Sequence, residues 1–91
     1  MDMYNNTLDE NVDKIICGEL HIDGMPFSDD SNVFSDLGAD KVDLAALLLK
    51  LEETFHISIS QDDCDSISTV GDIHRIVIEA VRGRLQHSAD M

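Results

Sequence analysis

The stretch from Lys41 to Phe55, KVDLAALLLKLEETF, constrains the fold more than any other part of the chain. It contains neither Gly nor Pro. Ala45, Leu48, Leu51 and Phe55 fall close together on a helical wheel, with Leu44 and Leu47 beside them, which is the spacing of a helix with a buried face. Asp40 stands immediately before it as an N-cap, and Gly38 suits a tight bend ahead of that cap. Similar start signals recur along the chain. Thr7-Leu8-Asp9-Glu10 has the form of a capping box, and Leu8, Val12, Ile15, Ile16 and Leu20 follow at helical spacing. This predicts a first helix from about Leu8 to Leu20, with Asp9, Glu10 and Asp13 where the helix dipole favours negative charge. Ser60-Gln61-Asp62-Asp63 opens a short helix to about Ser66. Thr69-Val70-Gly71-Asp72 opens a last helix carrying Ile73, Ile76, Val77, Ala80 and Val81 on one face. That helix is expected to end near Gly83, leaving the tail LQHSADM frayed.

Between the first two long helices, His21 to Asp40 forms a long connection rich in turn chemistry, DGMP and SDDSN among it. Val33, Phe34 and Leu37 interrupt its polarity and are expected to pin it onto the core. A loop of this length points to function or to a short embedded turn of helix. Ile57-Ser58-Ile59 alternates too briefly to make a strand. With 91 residues the chain has room for one core and too little for two, so a single domain over 1–91 is expected, its ordered part about 7–84. Apolar residues at 43% supply that core, and aromatic residues at 4% make it aliphatic. The fold class is therefore all-α: a four-helix bundle with a short third helix and a long loop between helices one and two.

Nineteen acids against six bases give a formal net charge of −13, a field that repels nucleic-acid phosphates and anionic membranes and favours partners with basic patches. The two cysteines, Cys17 and Cys64, are too few for a disulfide framework and form no CxxC spacing; Cys17 fits a small core or boundary position. The first residues lack a basic and an apolar leader region, and no stretch approaches a membrane span, so a reducing cytoplasm and a monomer are expected. His21, His56, His74 and His87 are scattered, His56 and His74 at surface or boundary positions rather than as metal ligands. DDSNVFSDLGAD lacks the sixth-position Gly and twelfth-position Glu of a calcium-binding loop. At most, loose divalent binding at Asp36, Asp40 and Asp43, or at Glu52 and Glu53, is expected. No phosphate loop, nucleophile elbow or triad is present, so the chain does not read as an enzyme.

Helix two carries a second stripe. Val42, Ala46, Leu49 and Glu53 follow one another at i, i+4, i+7 and i+11, edged by Asp40, Asp43 and Glu52. An exposed apolar strip with carboxylates along its margin is a protein-docking surface, the apolar part giving affinity and the charge steering. Burial of the helix nearly all round would explain the same pattern. Lys41, at the first turn, opposes the helix dipole by about 0.3–1 kcal/mol, which Asp36, Asp40 and Asp43 offset. It reads as a lysine relieving acidic crowding or as an anchor for a partner.

DLGAD, followed by an apolar helix ending LEETF, resembles the acyl carrier protein family. The later stretch ISIS-QDDCDSISTVGDI resembles that family's third-helix region and the start of its last helix. The resemblance spans roughly residues 8 to 82. It implies a four-helix bundle that carries acyl chains as thioesters on a 4′-phosphopantetheine arm, attached through a phosphodiester to a serine directly after the equivalent of Asp40. It also implies that acyl-transfer and synthase enzymes recognise helix two, which here maps onto Asp40, Val42, Asp43, Leu49, Glu52 and Glu53. Ala46 departs from the acidic residue often found on that face. Lys41 departs at the attachment point, because phosphopantetheinylation needs a hydroxyl oxygen and lysine has none. Ser35, Ser28 and Ser31 lie in the loop, away from the expected helix start. The expectation is an acyl-carrier-like module with no cofactor as written, docking basic partners and binding neither nucleic acid nor membrane. A conventional carrier of fatty-acid or polyketide synthesis whose serine has been replaced is the alternative. A further one is an acidic regulatory or chaperone-like protein.

Overall fold

The computed structural model describes residues 3–22, 24 and 26–90, with side chains over 8–83. Four helices follow in chain order: α1, Met3–Leu20; α2, Lys41–Phe55; α3, Gln61–Asp65; and α4, Val70–Asp90. α1 packs on α2 and on α4. Among the described residues the β pairing amounts to a single antiparallel bridge between Asn32 and Thr69.

Each long helix contributes one apolar stripe to a common core. Leu8, Val12 and Ile16 come from α1, Leu44, Leu47, Leu48 and Leu51 from α2, and Val70, Ile73, Ile76, Val77 and Val81 from α4. α3 buries none of its own residues and is held by its flanks, where Ile57 and Ile67 are buried and Ile59 is half-buried. The core contains no buried polar residue among those described, so packing and the hydrophobic effect hold it rather than a polar network.

The first and last helices depart from the sequence reading at their ends. α1 begins at Met3, so Thr7 lies inside the helix and not at its cap; the Thr7 side chain lies outside the described residues. Nothing in MYNNT stops a helix from growing toward the N-terminus, and each added residue gains a hydrogen bond once the helix exists. α4 does not end at Gly83 but runs to Asp90, so the LQHSAD backbone is helical rather than frayed. An exposed Gly costs a helix only about 0.8–1.0 kcal/mol relative to Ala, and Arg82, Arg84, Leu85 and Gln86 around it are good helix formers. α2 runs as expected, from the Asp40 cap to Phe55.

α1 and α2 end in the same way. His21 and His56 both take left-handed backbone with φ 56°. The next residues, Ile22 and Ile57, are buried, and their N–H groups donate back to Cys17 O at 3.2 Å and Glu52 O at 3.1 Å. This is the closure that satisfies last-turn carbonyls and plants an apolar residue under the helix end.

The long connection contains no helix among its described residues. Val33, Leu37, Ala39 and Ile22 are buried and Phe34 is half-buried, so its apolar residues pin it as expected. Asn32 organises the bend: its Oδ1 accepts the N–H groups of Phe34 and Ser35, both at 2.9 Å, and its own N–H donates to Asp36 Oδ2 at 2.7 Å. The same segment is strapped to the start of α4. Val33 N–H donates to Ser68 O at 2.8 Å, Val70 N–H to Ser31 O at 3.0 Å, and Gly71 N–H to Asp29 O at 2.9 Å. Two N–H groups that an α-helix leaves without internal partners are thus satisfied by the loop. Gly71 suits this close approach, since a Cβ there would stand 3.1 Å from the Asp29 carbonyl oxygen and the loop would have to give by a few tenths of an ångström.

Candidate functional site

The outward face of α2 is fixed by what happens on its inward face. Leu44, Leu47, Leu48 and Leu51 are buried, which locks the rotation of the helix. A capping box locks its start: Asp43 N–H donates to Asp40 Oδ1 at 2.8 Å, and Asp40 N–H donates to Asp43 Oδ2 at 3.1 Å. With rotation and start both set, Val42 is 75% exposed and Leu49 is 55% exposed, the only large exposed apolar side chains among the described residues. Ala46 and Glu53, on the same line, are exposed as well. α2 is therefore not buried all round, and its second stripe faces outward.

The carboxylates along that stripe divide by task. Asp40 and Asp43 spend one oxygen each on the capping box. Glu52 is half-buried, and its Oε2 accepts the Ile59 N–H at 2.8 Å, tying the α2–α3 connection to α2. These three shape the surface as well as charging it, whereas Glu53 is exposed. The Asp40 cap is legible in the sequence, but the Glu52 role is not, because the Ile59 contact spans seven residues across a helix end.

Lys41 is the first residue of α2 and is exposed. It lines a cavity of about 490 Å³ between the start of α2, α3 and the loop. Phe34, Leu44, Ala45, Cys64 and Ile67 form most of the wall, and Lys41 and Asp65 carry its charge. A smaller cavity of about 170 Å³ lies further along α2, between Leu48, Leu49, Glu52 and Ile59, and shares Ala45 and Cys64 with the first. Ala45 is accordingly exposed to these cavities and does not join Leu48 and Leu51 in the core, as its wheel position suggested. A small side chain there leaves room between α2 and α3 that a Leu would fill.

Cys64 is half-buried between the two cavities, and burial pushes its thiol up from the ordinary cysteine range, with Asp65 and Glu52 adding to the rise. It is a thiol held neutral, not a reactive thiolate. The sequence reading weighed Cys64 only for disulfide and metal spacing and gave it no place at the site. The available signal was an isolated apolar residue in the acidic helix QDDCD, set between Ile59 and Ile67.

The loop serines serve the turn. Ser31 Oγ accepts the Ser28 N–H at 3.0 Å, and Ser28 Oγ accepts the Asp30 N–H at 3.3 Å. Among the described residues no group of three His, Cys, Asp or Glu side chains is arranged to hold a metal ion, so Asp36, Asp40 and Asp43 do not form a metal centre. None of the described helices is long and apolar enough to cross a membrane.

The chain is similar to known proteins over most of its length. The family model described as a phosphopantetheine attachment site matches residues 10–77, which include the Asp40 cap, all of α2 and α3, and the start of α4. The acyl carrier protein of Chlamydia trachomatis is 37% identical over 73 residues, covering 80% of this chain and 95% of the relative. A solved chain from Mycobacterium tuberculosis, described as a candidate acyl carrier protein, superposes with a TM-score of 0.75 at 32% identity over 78% of this chain and 95% of that one. An acyl carrier protein from Thermotoga maritima shares the fold, with a TM-score of 0.75 over 89% of this chain at 23% identity.

Proposed function

The chain belongs to the acyl carrier protein family, a family of carriers rather than enzymes, and from that premise we propose that it acts by docking on partner proteins without a phosphopantetheine arm at the position the family uses. The observation that carries this reading is the outward stripe of α2, where Val42 and Leu49 remain exposed beside Asp40, Asp43, Glu52 and Glu53. Removing that apolar pair from water rewards association, and the carboxylates select a basic counter-surface and speed encounter with it. The partners this favours are acyl-transfer or synthase enzymes with a basic patch, met by the carrier as a monomer.

The residues present do not fit the arm. The position after the Asp40 cap is Lys41, which offers an amine where a phosphodiester needs a hydroxyl oxygen. Ser28 and Ser31 hold the loop turn through their own oxygens, and Ser35 precedes the Asp36–Asp40 bend. The cofactor set of the chain as written is therefore none.

The test is an intact mass after incubation with coenzyme A and a broad-specificity phosphopantetheinyl transferase, run on the chain and on Lys41→Ser. The chain as written is expected to gain no adduct, and Lys41→Ser is expected to gain one, because the docking face and the helix start are otherwise in place. An adduct on the unaltered chain would overturn the reading.

A further inference from the structure

Leu49 belongs to two surfaces. It is 55% exposed on the outward stripe of α2, and it also walls the cavity of about 170 Å³ between α2 and α3. The stripe therefore runs into a notch on one flank. The same wall includes Ala45 from α2, Ile59 from the connection and Cys64 from α3. A cavity of about 150 Å³ lined by Leu, Ile and Phe holds one benzene molecule. The notch thus has room for a single apolar side chain of the size of Leu, Met or Phe. Its polar wall atoms already have partners within the fold. Glu52 Oε2 accepts the Ile59 N–H at 2.8 Å, Ser60 Oγ accepts the Asp63 N–H at 3.1 Å, and Gln61 Nε2 donates to Asp65 Oδ1 at 3.0 Å. The Cys64 thiol stays protonated and packs as a small apolar group. An apolar guest takes no hydrogen-bond partner away from any of them.

We propose that this notch is the socket for one apolar anchor, a Leu, Met or Phe side chain, projecting from the basic patch of the docking partner. The inference rests on the docking reading and names what the partner inserts. Charge identifies the occupant. The wall holds one carboxylate, Glu52, and no base. α3 adds Asp62, Asp63 and Asp65, all exposed. Lys50 is exposed too, but it lies on the far flank of the stripe, because the two residues that separate it from Glu52 make a little over half a turn. An anchor flanked by Arg or Lys therefore meets opposite charge on the notch side. A second copy of this chain would bring its own charge of −13 to that rim and is repelled.

A socket does what a flat stripe does not. An anchor seated in a pocket and ringed by contacts that exclude water carries a large share of the binding energy. Val42 and Leu49 supply such contacts beside the notch. An anchor next to Ala45 also sets the register of the partner along α2, and so where it meets Lys41, about one turn earlier.

The deciding experiment titrates the full chain with the broad-specificity phosphopantetheinyl transferase in a calorimeter. Ala45→Leu fills the notch with a good helix former and leaves Val42, Leu49 and every carboxylate in place. It is expected to weaken binding by about tenfold or more at an unchanged melting temperature. Equal binding by Ala45→Leu overturns the socket and leaves the docking reading standing. No binding by the unaltered chain overturns the docking reading and the socket together. If Ala45→Leu fails to fold, NMR of the isotope-labelled unaltered chain decides. On addition of the transferase the methyl signals of Ala45 and Ile59 are expected to shift together with those of Val42, and a shift confined to Val42 and Leu49 overturns the socket. Ala45 and Ile59 signals that move with the concentration of the chain alone assign the notch to a second copy and overturn it as well.

Discussion

Asp40 and Asp43 cap each other, and Asp72 repeats the arrangement at α4: its Oδ2 accepts the N–H groups of Ser68 at 2.9 Å and Thr69 at 3.0 Å, while its own N–H donates to Thr69 Oγ1 at 3.2 Å. These carboxylates stabilise helix starts by accepting hydrogens the helix cannot use. Asp40→Ala should therefore destabilise the fold by about 0.5–2 kcal/mol, read as a lower urea midpoint at unchanged slope. Asp72 adds a pH signature. The Ser68 and then the Thr69 N–H groups hold its carboxyl below the usual range, against a smaller opposing effect of burial and with help from the Thr69 hydroxyl and Arg75. A carboxyl whose folded-state pKa is depressed stabilises the fold above its unfolded value of about 3.9, and that contribution disappears as pH falls through the folded value. The melting-temperature gap between the unaltered chain and Asp72→Asn should be open near about pH 7 and narrow as pH falls through the folded-state value of Asp72. Both caps were legible as Asp or Thr followed three residues later by an acid. The third role of this kind, Glu52 reaching Ile59, was not, since it depends on how α2 ends.

α2 is a helix with two faces under different demands. Its inward leucines set the core, and its outward Val42 and Leu49 contribute little to it because they are already in water. Replacing both with Ser should leave the unfolding free energy within about 0.5 kcal/mol of the original. The same double variant should abolish binding to a basic acyl-transfer or synthase partner in a titration calorimeter. Retained binding would place the contact elsewhere on the molecule, and a large loss of stability would mean the stripe packs internally. The periodicity of KVDLAALLLKLEETF announced both stripes and which of them meets the core, but not whether the second faced water or was buried as well. α1 and α4 illustrate the converse limit. The sequence located their apolar faces, the end of α1 and the start of α4, and misplaced the start of α1 and the end of α4, because helix ends without a strong stop are set by cooperativity and by Gly83 lying where its cost is tolerable.

Across the whole molecule a charge of −13 is spread over a body with a radius of gyration of 13.1 Å. Such a charge opposes the compact state through self-repulsion. Raising salt from about 0.01 M to about 0.1 M shortens the screening length from about 30 Å to about 10 Å, less than the size of the domain. The melting temperature should rise over that interval, and a flat or falling trend would show that local carboxylate contacts outweigh the global field. The long loop belongs to this scale too. Its described part is held on the body because Val33 and Leu37 are buried and Asp29, Ser31 and Val33 share backbone hydrogen bonds with Ser68, Val70 and Gly71, not because it forms an element of its own.

The amino-acid sequence by itself determined the helical class, the order of the elements, the capped starts of α2 and α3, and the family resemblance, since each is written in spacings of a few residues. The tertiary structure alone decided that the second stripe of α2 stands in water rather than in the core, that Ala45 and Cys64 line two cavities, one of them beside Lys41, and that His74 meets Asp13 and Asp29. Those outcomes depend on the rotation and mutual placement of helices. That placement comes from the whole set of buried side chains packing at once, and local spacing carries no record of it.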